Sequence, residues 1–289
     1  MNLADELLIR DIKHILKDGC KDQNPRPKYK DGTPAYTYFV THNIRQHNLS
    51  HDEFPICTLR PIAWKSAIKE ILWIYQDQSN SLDILNNKYN NKVWNDWESK
   101  DIPGTIGCRY GHTVKEYDLM NNLLTDIAEN PYGRYHIMNL WQEEEFKRSD
   151  GLKPCAYETI WSVRDDYLDM FLMQRSGDML VASGSGGYNE VGYAALLMMV
   201  ARHTGYKPGK FTHFIVNEQL YDRHLEQAEE LLNRFKHMEQ DEFFHDKYYK
   251  TPQLKLNENK KNFYDITIDD FEMIDYEPIK PQITLELGI

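Results

Sequence analysis

The sequence predicts an α+β fold in one domain spanning residues 1–289, on three observations. Stretches of helical period and stretches of strand alternation are mixed without a regular βαβ rhythm, which disfavours a doubly wound sheet. No internal repeat, low-complexity linker or composition break divides the chain. Hydrophobic residues at 41% and charged residues at 27% leave enough apolar material for one substantial core.

In chain order, "MNLADELLIRDIKHILKDG" reads as an amphipathic helix, with Gly19 predicted as a left-handed cap. Residues 23 to 36 read as a polar loop, and "TYFVTHNIR" alternates as a strand. "AWKSAIKEILWIY" has helical period, with Trp64, Ile68, Ile71, Leu72 and Ile74 on one broad face. "VKEYDLMNNLLTDIAENP" predicts a second helix, stopped at Asn130-Pro131. "RYHIMNLW", "YETIWSVR" and "YLDMFLMQRS" read as strands, the last two joined by a turn at Asp165-Asp166. "YNEVGYAALLMMVARHTG" is apolar nearly all round and predicts a buried helix. "FTHFIVNEQLY" follows as a strand and "DRHLEQAEELLNRFKHM" as a polar amphipathic helix. "FYDITI" and "QITLEL" read as short terminal strands.

A formal net charge of −11 makes non-specific nucleic-acid binding unfavourable. An anionic substrate would need local positive charge, available from Arg26, Lys28 and Lys30 in "NPRPKYKDG" and from Arg134 and Arg175. No apolar run approaches a membrane span, and the acidic first helix is unlike a secretory signal. Cys20, Cys57, Cys108 and Cys155 lack close paired spacing, which argues against zinc and against a disulfide framework. A reducing, cytoplasmic compartment is expected.

Cys155 in "GLKPCAYET" is the leading chemical candidate. A lone cysteine is by default a buried structural thiol. This one follows Pro154, whose stiff backbone would aim it, and it begins a strand. One strand later comes "QRSGD", so Arg175 would sit beside the thiol in an antiparallel pair and favour the nucleophilic thiolate. "QRSGD" could equally be a surface ion pair and turn. The "ASGSGG" run before the buried helix resembles phosphate-binding loops but lacks the P-loop lysine and the dinucleotide spacing. Glu70 lies in an apolar helical stretch; facing inward, it would have a raised pKa suited to acid–base work. Trp94 and Trp97 in "VWNDW" read as core aromatics or as walls for a flat heterocycle.

These pieces together resemble thymidylate synthase, in particular the divergent branch found in some bacilli and their phages. The matching segments run in order along nearly the whole chain: "DGTPAYT", "KEILWIY", "VWNDW", "GTIGCRYG", "GRYHIMNLW", "KPCAYET", "QRSGD", "YNEVGY", "QLYDRH" and "FYDITIDDFEMIDYEP". The resemblance implies a large mixed, mostly antiparallel sheet flanked by helices, with one sheet face used for dimerisation. It implies a reaction between dUMP and 5,10-methylenetetrahydrofolate, with no metal, giving dTMP and dihydrofolate.

The resemblance further implies that Cys155 adds to C6 of the uracil, Glu70 acts as acid and base, and Tyr110 helps remove the C5 proton. Arg175 and Ser176 would contact the nucleotide phosphate, and Asp178 would order the pterin and a water near the pyrimidine. Asn189 would read the uracil edge and Tyr221 would hold the deoxyribose. Trp94, Trp97 and Tyr188 would lie on the folate side. Arg134 would reach the phosphate site of the partner in a homodimer. Departures from the family stand at Tyr135, Asn95, Ala156 and Gln219, and in a longer loop before Asn189. Within that loop Gly184, Ser185, Gly186 and Gly187 predict a flexible lid that orders with the folate. Two alternatives are a dUMP hydroxymethylase, in which water captures the one-carbon unit, and a catalytically retired nucleotide- or RNA-binding relative.

Overall fold

The computed structural model describes residues 2–240 and 251–289. Met1, the start of the expected first helix, lies outside them. Helix α1 (Leu3–Asp18) is capped by Asn2, whose side chain accepts from the Ala4 N–H at 3.2 Å. Its apolar stripe of Leu8, Ile9, Ile12 and Ile15 is buried. Gly19 is extended at φ −67°, not left-handed. It is required for a different reason: a Cβ there would meet the Ile15 carbonyl oxygen at 2.4 Å.

Strands β1 (Cys20–Lys21) and β2 (Thr37–Asn48) come next, then helix α2 (Trp64–Ile71). After Ile71 the helix widens into a π-turn over Leu72–Gln76. The second expected helix is two, α3 (Gly111–Glu116) and α4 (Leu119–Glu129). They break at Asp118, which takes φ +48° and accepts from Asn121 Nδ2 at 2.6 Å. Aspartate tolerates the left-handed region because its short side chain bonds locally. Strand β3 (Ile137–Asn139) and the short helix α5 (Glu143–Arg148) precede β4 (Ala156–Arg164), β5 (Tyr167–Gln174) and β6 (Gly177–Asp178). Helix α6 (Tyr188–Thr204), β7 (Lys207–Tyr221), α7 (Leu225–Gln240), β8 (Gln253–Leu256) and β9 (Phe271–Ile274) complete the chain.

Among the described residues the main sheet has the order β1-β2-β7-β5-β4-β3, with β6 beside β7. Only the pairings of β7 with β5 and with β6 are parallel. This is an α+β fold with a mixed, mostly antiparallel sheet. Helix α6 is buried from Glu190 to Ala201, with only Met198 half-buried, and packs against α2 and the sheet, as its all-round apolarity predicts. No helix among the described residues is long and apolar enough to cross a membrane.

The C-terminal strand expectation needs correction. "FYDITI" forms a single-turn helix at Phe263–Asp265 because Asn262 caps the Tyr264 N–H, and a capping box at Thr267 and Asp270 starts the next turn. The strand begins only at Phe271 and pairs with β8, while residues 282 to 287 form no strand.

The sheet's far face leaves apolar side chains uncovered among the described residues. Ile44, Ile137 and Ile160 are 52%, 45% and 36% exposed there, and Phe171 stacks on Phe214 at 6.4 Å.

Candidate active site

The β4–β5 hairpin places Ala156 opposite Gln174, so Cys155 and Arg175 flank the same end of the pair. The Arg175 N–H donates to the Cys155 carbonyl at 2.9 Å. Its guanidinium donates from Nε to the Pro154 carbonyl at 3.0 Å and from Nη2 to the Lys153 carbonyl at 2.8 Å, and Nη2 stands 3.5 Å from Cys155 Sγ. Burial pushes the Cys155 thiol above its ordinary pKa, and Arg175 first and Arg26 second pull it back. A net lowering by Arg175 was expected from the sequence; burial outweighs it.

The Cys155 N–H donates to Tyr110 Oη at 3.1 Å. Tyr110 is buried with a positive φ of +50°, and its ring meets Trp94 edge-on at 5.1 Å. Trp94 in turn packs on Trp97 at 5.8 Å. These rings and Glu70 line one wall of a cleft of about 1220 Å³, counted to its open mouth. Burial raises Glu70 to about 7, with the polar groups of Trp94 and Tyr188 holding it lower than burial alone would. Tyr188 donates to the Ser66 carbonyl at 2.9 Å.

On the opposite wall Asp178 accepts from the N–H groups of Leu180 and Val181 at 3.1 and 3.2 Å. Burial nonetheless lifts its carboxyl to about 7. Ser176, Tyr221 and Gln219 line the same cleft, as does Arg26, alone of the three basic candidates in the 26–30 loop. Asn189 donates from Nδ2 to Gln174 Oε1 and to Ser183 Oγ, both at 3.2 Å. Its Oδ1 has no protein partner among the described residues.

Behind Asn189 runs a buried polar chain. Gln174 Oε1 meets His213 Nε2 at 3.0 Å, His213 Nδ1 meets Glu190 at 3.0 Å, and Arg45 Nε pairs with Glu190 at 3.1 Å. Burial alone would raise Glu190, but Arg45, His213 and His47 together hold it well below the ordinary carboxylate range. Such a chain fixes the Gln174 amide and, through it, the Asn189 edge.

The structure therefore gathers Cys155, Glu70, Tyr110, Arg175, Ser176, Asp178, Asn189, Tyr221, Trp94, Trp97 and Tyr188 around one cleft. It does not bring Arg134 there: that side chain is exposed in the turn before β3. Sequence reasoning missed Val93, Leu152, Tyr193 and the tail residues Leu287 and Gly288 as cleft lining. The tail gives no local signal; it arrives because Ile289 and Lys28 exchange backbone hydrogen bonds at 2.8 and 2.9 Å.

The expected lid is also corrected. Residues 183 to 187 are buried. The Gly186 N–H donates to Glu190 Oε2 at 2.8 Å, and the Gly186 carbonyl accepts from the Cys57 N–H at 2.9 Å. The glycines serve close packing: at φ +64°, a Cβ on Gly186 would meet Cys57 N at 2.3 Å.

A thiol beside a guanidinium, a carboxyl lifted to about 7 and an aromatic wall in one cleft suit an enzyme of covalent catalysis. The model of the thymidylate synthase family matches residues 8–289. Thymidylate synthases of Streptococcus gordonii and Streptococcus sanguinis are each 49% identical over 294 residues, covering 100% of both chains. The solved thermostable thymidylate synthase A from Bacillus subtilis superposes with a TM-score of 0.86 at 33% identity, covering 99% of each chain. The chain belongs to the thymidylate synthase family.

Proposed function

We propose that this protein methylates dUMP at C5 with the one-carbon unit of 5,10-methylenetetrahydrofolate, giving dTMP and dihydrofolate. The observation that carries the reading is the 3.5 Å approach of Arg175 Nη2 to Cys155 Sγ inside a cleft that also holds Glu70. The Cys155 thiolate adds to C6, and the electron pair moves through C5 toward O4. C5 then attacks the one-carbon unit. Tyr110 helps remove the C5 proton, and Glu70, poised near neutral pH, moves protons at the pyrimidine. Loss of the C5 proton drives cleavage of the bond between the one-carbon unit and the folate nitrogen, leaving a methylene on C5. Hydride from the tetrahydrofolate so released reduces it to the methyl group, giving dihydrofolate, and elimination frees Cys155.

Arg175, Ser176 and Arg26 hold the phosphate, Tyr221 the sugar, and Asn189 the uracil edge, where its free Oδ1 suits the N3–H of uracil. Trp94, Trp97 and Tyr188 face the folate, with Asp178 ordering the pterin. The exposed apolar sheet face around Ile44, Ile137 and Ile160 pairs two copies in a homodimer, and Arg134 reaches the partner's phosphate site. A cytoplasmic, reducing setting fits the four unpaired thiols.

The test is release of tritium from C5-labelled deoxyuridylate. Cys155→Ser should abolish release while leaving nucleotide binding largely intact, because a hydroxyl is the far poorer nucleophile. Release at the wild-type rate would make Cys155 structural.

A further inference from the structure

We propose that Cys108, His112 and Glu145 form a binding site for a divalent, zinc-class transition metal, outside the catalytic cleft. Cys108 lies in the turn before α3, His112 in the first turn of α3, and Glu145 in α5. One thiol sulphur, one imidazole nitrogen and one carboxylate oxygen lie within 4.8 Å of one another. Zinc bonds of about 2.3 Å to sulphur and about 2.0–2.2 Å to nitrogen and oxygen put all three donors within reach of one ion.

The second observation concerns two of those donors. His112 Nε2 and Glu145 Oε2 are 2.8 Å apart, yet both atoms are buried and neither makes a hydrogen bond of acceptable geometry. A simple ion pair would align a proton between them. Two buried donor atoms this close, with no aligned hydrogen bond between them, are placed to share one ion with the Cys108 sulphur. Glu145 is 2% exposed, and its other oxygen is already held by Arg148 Nη1 at 2.7 Å, which orients the carboxylate and turns Oε2 toward His112.

The backbone around the donors is fixed by groups that do not compete for them. Arg109 donates to the carbonyls of Cys108, Glu145 and Ser149 at 2.8, 3.1 and 2.9 Å. Ser149 Oγ accepts from the Cys108 N–H at 2.8 Å. His112 keeps a quarter of its side-chain surface exposed, which gives an entry path and an open position for water. The mixed sulphur, nitrogen and oxygen donor set suits zinc or cobalt; magnesium and calcium favour oxygen donors. The guanidiniums of Arg109 and Arg148 oppose a dication, so affinity rests on the thiolate and imidazole bonds. On binding, the Cys108 S–H bond breaks, the sulphur–metal bond forms, and one proton leaves to solvent.

The site escapes a search for paired cysteines because it uses one. None of its residues lines the cleft, but Tyr110, which accepts from the Cys155 N–H, sits between Cys108 and His112 in the chain.

The full-length protein, stripped with a chelator, is titrated with Co²⁺ and then Zn²⁺. The expected result is one Co²⁺ per chain with a thiolate-to-cobalt charge-transfer band, lost on addition of Zn²⁺. Cys108→Ala abolishes the band, His112→Ala weakens binding by about ten-fold or more, and Cys155→Ala leaves the band intact. Melting curves without metal confirm that each variant is folded; Cys108→Ser replaces the alanine variant if that one is not. Absence of the band in the folded wild-type protein, its survival in Cys108→Ala, or its loss in Cys155→Ala overturns the proposal.

Discussion

Arg175 Nη2 stands 3.5 Å from Cys155 Sγ while the same guanidinium bonds the carbonyls of Lys153 and Pro154. The charge is thus anchored to the backbone that carries the thiol, and the two are held together as a unit. This matters because burial works against thiolate formation, and Arg175 is the largest influence opposing it.

Arg175→Ala should therefore raise the Cys155 pKa further. The pH midpoint of Cys155 alkylation by iodoacetamide, followed by peptide mass, should move upward, with the rate at pH 8 falling about three- to ten-fold. An unchanged midpoint would show that the guanidinium does not govern the thiol.

Glu70→Gln should cost activity and gain stability. Loss of a positioned acid–base group lowers turnover by about 10²–10⁴-fold. The stability sign follows from the raised folded pKa. Below the ordinary value of 4.5 both folded and unfolded Glu70 are protonated and the group imposes no penalty. Between 4.5 and about 7 only the unfolded state ionises, so the penalty grows with pH and then levels off. The melting temperature of Glu70→Gln relative to wild type should rise over that window. A flat difference would place Glu70 in solvent contact in solution.

Gly186→Ala should destabilise the protein by about 2–4 kcal/mol, since its Cβ meets backbone at a left-handed position. Urea unfolding measures this. Amides of Gly184 and Gly186, bonded to the Met179 carbonyl and the Glu190 carboxylate, should exchange slowly without any ligand. Fast exchange there would restore the lid reading.

On the proposed shared site, in which Arg134 gives a charge-assisted contact to the partner's phosphate, Arg134→Ala should weaken nucleotide binding in a salt-sensitive way. Mixed dimers with Cys155→Ser should regain activity, since both lesions fall in one site and the other is whole. Verified mixed dimers without activity would contradict a shared site.

The sheet and the buried helix were legible because period and apolarity act locally: β4, β5 and α6 follow their patterns closely. Cys155 beside Arg175 was legible because a short hairpin fixes the register of its two ends. The misreadings share a cause. Side-chain caps at Asn262 and Thr267 turned an alternating run into helical turns, and Asp118 broke a continuous helical period. The glycines of residues 184 to 187 look the same in sequence whether they serve flexibility or close packing; only Cys57 and Glu190, distant or buried, decide for packing. The reach of Leu287 into the cleft depends on pairing between the two ends of the chain, which local patterns do not carry.

The most direct test incubates the protein with deoxyuridylate and 5,10-methylenetetrahydrofolate and determines both products by mass. The account predicts a nucleotide heavier by a methyl-for-hydrogen exchange, formed one for one with dihydrofolate, and neither product with Cys155→Ser. A hydroxymethyl nucleotide with tetrahydrofolate, or no product while nucleotide stays bound, would contradict it.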